Sequence, residues 1–153
     1  MSSVDRPVIL VIDADPLSLT ATSAVLHVAN YEVHCAASRE AALKAARNLG
    51  LDLVVCDLDI AGIEGYSITE EIHQIPERHD VPVMYSSSCQ QSEVIRKRHA
   101  SGAVYHLRKP FDPQVLLELV EKALWMPHLI QTRISQPHFK FSPNTFSPPS
   151  STV

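Results

Sequence analysis

Long apolar runs are missing from this 153-residue sequence, and so is a hydrophobic leader. No run approaches the roughly 20 apolar residues that a membrane-spanning helix requires. Residues 1–5 have neither the basic start nor the hydrophobic segment of a secretory signal peptide. We therefore expect a cytoplasmic protein without a membrane-spanning segment.

Cysteine is scarce as well. The three cysteines, Cys35, Cys56 and Cys89, are odd in number and lack the spacing of a metal site. Two of them fall in apolar segments typical of buried strands, which predicts buried, reduced thiols and no disulfide framework. A redox role for Cys56, directly before Asp57, is the less favoured alternative because buried cysteines are generally inert.

Glycine and acidic residues are both absent after residue 126, where five prolines, five serines and three threonines occur instead. A segment of this composition cannot form a second packed core. We expect one globular domain over residues 6–126 and a flexible Pro/Ser-rich tail over 127–153. The alternative is that the three phenylalanines of the tail dock on the domain.

The overall composition is that of an ordinary globular domain, 45% hydrophobic and 20% charged. Residues 1–126 carry all 17 acidic residues against 11 lysines and arginines. Such a mildly acidic body argues against non-specific nucleic-acid binding. The sequence thus predicts one core and no DNA-binding domain.

Four apolar segments end abruptly in polar residues. They are Val8–Ile12 before Asp13, Leu53–Cys56 before Asp57, Val81–Tyr85 before Ser86–Ser88, and Ala103–Leu107 before Lys109-Pro110. Continuous apolar runs are typical of buried parallel strands, and open α/β sheets bind ligands at the carboxyl ends of such strands. If the strands are parallel neighbours, two carboxylates, a hydroxyl and an amine converge on one crevice.

Helical segments alternate with these strands. Asp15-Pro16, Ser38 and Asp112-Pro113 are helix-start signals, because Asp or Ser caps a helix and Pro suits its first turn. Gly50 is a candidate left-handed stop for the second helix. We predict a second strand over 31–36 and helices over 16–30, 40–49, 64–74, 92–100 and from 113 onward. Five strands alternating with five helices make a doubly wound parallel sheet with helices on both faces.

The first helix carries apolar residues at helical spacing, and we expect this set to face the core. The set is Leu17, Ala21, Ala24, Val25 and Val28. On the last helix, the corresponding set is Val115, Leu116, Leu119, Val120 and Leu124.

The order of the polar residues resembles the receiver domain of two-component response regulators, in particular the single-domain chemotaxis type. The residues that carry the resemblance are Asp13, Asp57, Gly62, Gly65, Ser87 and Lys109-Pro110-Phe111. The resemblance covers about residues 6–126. It implies a flavodoxin-like α/β fold whose five parallel strands have the order 2-1-3-4-5.

The resemblance also implies a role for each residue. Asp57 accepts a phosphoryl group from a histidine kinase or phosphotransfer protein, while Asp13, Asp57 and the backbone carbonyl of Asp59 hold Mg²⁺. Lys109, often joined by a cis bond to the next proline, and Ser87 contact the phosphoryl group. The downstream protein then binds the surface formed by the fourth helix, fifth strand and fifth helix. Such a phosphoacceptor assists its own phosphorylation and is not an enzyme in the ordinary sense.

Two residues depart from the family pattern. Ala14 stands where receivers usually carry a second acid that ligates the cation. We therefore expect weakened Mg²⁺ binding, with the Asp59 carboxylate as a partial substitute. His106 occupies the position of an aromatic switch residue that turns inward on phosphorylation. Because imidazole is smaller and ionises near neutral pH, the switch is expected to be weakened or pH-sensitive, and an ordinary half-buried histidine is the alternative.

Other functions stay open from the sequence. A degenerate receiver would take no phosphate and act as a phosphorylation-independent docking module. A phosphatase is the third possibility, because Asp57-Leu58-Asp59 is similar to the Asp-x-Asp motif of haloacid-dehalogenase-type phosphatases. That motif, however, normally follows the first strand. A nucleotide site is disfavoured because no glycine-rich loop follows the first strand.

Overall fold

The computed structural model describes residues 5–88 and 105–125. Within them, five strands form one sheet in the order β2-β1-β3-β4-β5, and every neighbouring pair is parallel. The strands are β1 (Val8–Ile12), β2 (Glu32–Ala36), β3 (Leu53–Asp57), β4 (Val83–Ser87) and β5 (Tyr105–Arg108). This is the predicted flavodoxin-like sheet, and the predicted strand order is confirmed.

Four helices connect or flank these strands in the described part of the chain. They are α1 (Pro16–Val28), α2 (Arg39–Asn48), α3 (Gly65–His73) and α4 (Pro113–Trp125). The helix predicted over 92–100 and the tail over 127–153 lie outside the described residues. Among the helices of the described residues, none is long and apolar enough to cross a membrane.

Each face of the sheet carries its own hydrophobic cluster, because successive strand residues point to opposite faces. Leu10 and Val54 pack with Ile68 of α3 on one face. On the other face, Ile9 packs with residues of α1 and α4, including Leu116. The two clusters confirm the prediction of helices on both faces.

The core-facing side of α1 differs from the prediction. Thr22 and Leu26 are buried, whereas Leu17 and Val28 are 81% and 85% exposed. The exposed residues form what we call the outer stripe of α1: Leu17, Ala21, Ala24 and Val28. Apolar residues occur on both sides of this helix, so periodicity alone could not identify the buried side. On α4, Val115 is likewise exposed, whereas Ala123, which was not in the predicted set, is buried.

A short hairpin that the sequence did not predict follows β3. Its strands are Asp59–Ile60 and Ile63–Glu64. Ala61 and Gly62 join them with φ values of 53° and 87°. Two positive φ values are typical of a type I′ turn. The Asp59 carboxylate closes this turn, since its Oδ1 accepts the N–H of Gly62 at 2.9 Å.

Gly65 allows α3 to begin directly against the backbone of Asp57. A Cβ at this position would lie 2.1 Å from the carbonyl oxygen of Asp57, which is too close for any two heavy atoms without a bond. The N–H of Gly65 also donates to the carbonyl of Leu58 at 2.8 Å. The glycine therefore sets the position of α3 beside the end of β3.

Replacing Gly65 with Ala is expected to destabilise the protein by about 1–3 kcal/mol, because the added methyl group forces α3 away from Asp57. Gly50→Ala is the matched control, since a Cβ there meets no atom within 4 Å. Urea denaturation of both variants measures the difference, and equal midpoints would contradict this role of Gly65.

Gly50 does not have a positive φ, so the prediction that it ends α2 as a left-handed stop is wrong. The helix ends instead at Leu49, whose backbone is extended.

Candidate functional site

The carboxyl ends of β1 and β3 place Asp13 and Asp57 side by side. The two strands are neighbours with Ile12 paired to Cys56, so the residues that follow lie at the same edge of the sheet. Lys109 follows β5 and reaches both carboxylates. Its Nζ donates to Oδ2 of Asp13 and to Oδ2 of Asp57, each at 2.7 Å. One ammonium thus joins the two carboxylates that the sequence predicted to converge.

These three charges are largely shielded from solvent. The side chains of Asp13, Asp57 and Lys109 are 4%, 14% and 13% exposed. Charges removed from water need partners, and here one cation serves two anions. The cluster of two carboxylates and one ammonium consequently retains one net negative charge.

Asp13 receives three hydrogen bonds. The N–H of Asp15 donates to Oδ1 at 3.0 Å, while Ser18 Oγ and Lys109 donate to Oδ2 at 2.6 and 2.7 Å. Burial raises the pKa of Asp13, but the bonds from Lys109, Ser18 and Asp15 outweigh it and hold this pKa below its ordinary value. The sequence reasoning missed Ser18. Its place in the first turn of the helix that follows Asp13 was the available signal.

Asp57 has fewer donors and a different electrostatic balance. Its Oδ1 accepts the N–H of Asp59 at 3.2 Å. Burial raises the pKa of Asp57 above its ordinary value, and the bonds from Lys109 and the Asp59 amide offset only part of this effect. Burial alone would lower the pKa of Lys109, but its bonds to Asp13 and Asp57 raise it. Lys109 therefore remains an ammonium near neutral pH.

Ser87 ends β4 at the same edge of the sheet. The backbone N–H of Lys109 donates to the carbonyl of Ser87 at 2.8 Å, which fixes the two residues relative to each other. The preceding residue, Ser86, is paired with Asp57 across the sheet. The peptide bond joining Lys109 and Pro110 is cis, in line with the resemblance.

His106 lies in an aromatic cluster between β5, β4 and α3. Its Nε2 is 3.0 Å from the hydroxyl of Tyr66, and its ring stacks on Tyr85 with the centroids 5.5 Å apart. The hydroxyl of Tyr85 in turn bonds Thr69 at 2.7 Å. The sequence singled out His106 but not its partner Tyr66. These contacts hold the imidazole against α3.

Ala14 and Asp59 complete the candidate pocket. Ala14 packs against the cluster that includes Leu10, and it brings no carboxylate to the site. Asp59 is exposed and uses one carboxylate oxygen to close the hairpin turn. Within residues 5–88 and 105–125, no three His, Cys, Asp or Glu side chains are grouped to hold a metal. Asp13 and Asp57 are accordingly the two carboxylates that face Lys109.

Of the two cysteines that the structure describes, neither contributes a thiolate to this site. Cys56 is fully buried, and burial together with the neighbouring Asp57 raises its pKa far above the ordinary value, so it stays a thiol. Cys35 is exposed, contrary to the prediction, because β2 is an edge strand. Cys89 lies outside the described residues.

Known proteins with similar sequences include a receiver-domain family and several transcriptional regulators. Residues 9–121 match the family described as response regulator receiver domain. The transcriptional regulatory protein ZraR of Escherichia coli O157:H7 is 33% identical over 122 residues, which cover 80% of this chain and 27% of ZraR. The chain therefore spans only about a quarter of the length of that relative.

Solved structures agree. A CheY-like response regulator receiver domain protein from Methanospirillum hungatei JF-1 is 25% identical with a TM-score of 0.73, covering 82% of this chain and 98% of that one. The receiver domain of sensor histidine kinase PA1611 from Pseudomonas aeruginosa PAO1 was solved with magnesium coordinated in its active-site cleft. It is 23% identical with a TM-score of 0.69, covers 77% of this chain and 97% of that one, and supports the fold alone. The match over residues 9–121 decides the assignment: this chain belongs to the response regulator receiver domain family.

Proposed function

We propose that Asp57 accepts the phosphoryl group in two-component signalling and that the receiver domain spans residues 6–126. The observation that carries the proposal is the contact of Lys109 with Asp57 at the carboxyl end of β3. The Asp57 side chain keeps 14% of its surface exposed, so a phosphodonor can reach it. Its other oxygen is oriented by the amide of Asp59. A positioned carboxylate beside a fixed cation is what acyl phosphate formation requires.

The transfer itself exchanges one bond for another. An oxygen of Asp57 attacks the phosphorus of a phosphohistidine, the new O–P bond forms, and the P–N bond breaks. The electron pair leaves on the imidazole nitrogen, which then takes up a proton. Lys109 stabilises the negative charge of the phosphoryl oxygens, and the Ser87 hydroxyl donates a hydrogen bond to one of them.

The oxygen donors at the site fit a magnesium ion. Mg²⁺ is commonly bound through one or two carboxylates and keeps several waters, which suits Asp13, Asp57 and the backbone carbonyl of Asp59. When bound, it supplies positive charge to the phosphoryl oxygens. Ala14 removes the further carboxylate that receivers usually have, so the affinity for the ion is reduced.

The outer stripe of α1 provides a docking surface for the phosphodonor. It begins at Leu17, four residues after Asp13, and its two largest side chains are more than 80% exposed. Exposed apolar patches beside a reactive group are typical of protein interaction sites. We propose that a histidine kinase or phosphotransfer protein binds this stripe. The downstream partner binds the surface that includes β5 and α4, which is the fifth of the predicted helices. His106 of β5 acts there as the switch residue.

A degenerate receiver that serves only as a docking module is the second candidate. Ala14 favours it, because a weaker cation site slows phosphorylation. The two candidates differ in whether Asp57 takes up phosphate.

Incubation with acetyl phosphate and Mg²⁺ is expected to add one phosphoryl group that hydroxylamine removes, as an acyl phosphate would require. Asp57→Asn should gain none. Asp52→Asn is the control, because Asp52 lies just before β3, at the other end of the strand from Asp57, and accepts the N–H of Val8. Intact-protein mass spectrometry measures the gain. Unmodified wild-type protein would favour the docking module, and a modified Asp57→Asn variant would exclude Asp57 as the acceptor.

Restoring the missing acid by Ala14→Asp is expected to tighten Mg²⁺ binding by about tenfold, because another anionic oxygen faces the cation. Without metal the variant should be less stable, since a further like charge joins Asp13 and Asp57. The NMR signals of the Asp15 and Asp59 amides, which bond the two carboxylates, report the titration. Ala21→Asp on the outer stripe adds the same charge elsewhere and serves as control. Equal or weaker affinity in Ala14→Asp would show that the Asp59 carboxylate already compensates.

A further inference from the structure

Ser18 makes an unusually direct contact with the acidic pocket. Its hydroxyl donates to Oδ2 of Asp13 at 2.6 Å, a length typical of a hydroxyl bonded to an ionised carboxylate. Ser18 stands in the first turn of α1, where side chains lean toward the helix N-terminus. This orientation places the side chain of Ser18 next to the end of β1, where Asp13 lies. The hydroxyl therefore acts on the carboxylate of Asp13 and does not simply cap the helix.

We propose that Ser18 is a positioning residue for the cation pocket, an inference that rests on the proposed function. Two oxygens of Asp13 must be held to fix its rotation. The amide of Asp15 holds Oδ1, whereas Oδ2 is shared between Ser18 and Lys109. Lys109 is a long side chain that also pairs with Asp57. Ser18, in contrast, is a short side chain of the adjacent helix, and its hydroxyl donates to Asp13.

Ser18 and Lys109 are expected to behave differently once Asp57 carries a phosphoryl group. Lys109 is drawn toward a phosphoryl group on Asp57, because that group carries more negative charge than Asp13. Once the ammonium shifts, Ser18 and the Asp15 amide are the contacts that keep Asp13 aligned. Ala14 beside it brings no carboxylate, and Asp13 is the residue at this strand end whose carboxylate contacts Lys109. Its alignment consequently determines how well that strand end holds a cation.

The test compares three variants of the full chain in a Mg²⁺ titration followed by the amide NMR signals of Asp15 and Asp59. Ser18→Ala is expected to weaken Mg²⁺ binding by about tenfold, the effect of losing a hydrogen bond to a charged group. Ser18→Thr keeps the hydroxyl and should bind Mg²⁺ like the wild type. Ser23→Ala is the control on the same helix, because Ser23 bonds only a backbone carbonyl, that of Thr20 at 3.1 Å. In metal-free protein, the Asp15 amide signal should move in Ser18→Ala and return in Ser18→Thr.

Unchanged or tighter Mg²⁺ binding in Ser18→Ala would overturn the inference, since the hydroxyl would then merely compete with the cation for Oδ2. Failure of Ser18→Thr to restore binding would overturn it as well, and so would a wild-type protein that binds no Mg²⁺. Failure of the proposed function is a separate outcome. It would appear as an Asp57 that takes no phosphate while the Mg²⁺ difference between Ser18→Ala and Ser18→Thr persists.

Discussion

One ammonium group shared by two carboxylates is the interaction on which this site depends. Asp13 and Asp57 are brought together by neighbouring parallel strands, and in a partly buried place two such charges repel strongly. Lys109 offsets that repulsion with hydrogen bonds of 2.7 Å to both. Removing charged groups from water is costly unless they are paired, so the pairing with Lys109 stabilises this edge of the sheet. The same ammonium is the cation that a phosphoryl group on Asp57 would meet.

The two carboxylates differ because their surroundings differ. Asp13 has Ser18 and the Asp15 amide in addition to Lys109, and its pKa is lowered. Asp57 has the Asp59 amide and Lys109 alone, and burial raises its pKa. Asp13 therefore holds its charge firmly, whereas Asp57 holds its charge less firmly, which suits the phosphoacceptor role proposed for it. This difference follows from the larger number of donors around Asp13.

Much of this arrangement was predictable from the sequence. Apolar runs that end in Asp13 and Asp57 indicated parallel strands, and their alternation with helices predicted a doubly wound sheet, whereas the strand order was implied by the resemblance to receiver domains. Periodicity failed on α1, because both of its sides carry apolar residues and Leu17 and Val28 turned out to be exposed.

Local sequence patterns could not predict contacts between segments that are distant in the sequence. The bond from Ser18 to Asp13 depends on how α1 leaves the strand. The pairing of Tyr66 with His106 joins residues 40 positions apart, and no spacing rule connects them. The hairpin after β3 needed a positive φ at Ala61, a conformation that alanine rarely adopts.

The most direct test of the shared ammonium is a double-mutant cycle between Lys109 and Asp57, measured by urea unfolding without metal. We predict that Lys109→Met alone loses about 2 kcal/mol, because it leaves Asp13 and Asp57 without their common cation. Adding Asp57→Asn should recover at least about 1 kcal/mol of that loss, since it removes one of the two repelling charges. Additive losses in the double mutant would contradict the shared ammonium as the interaction that organises the site.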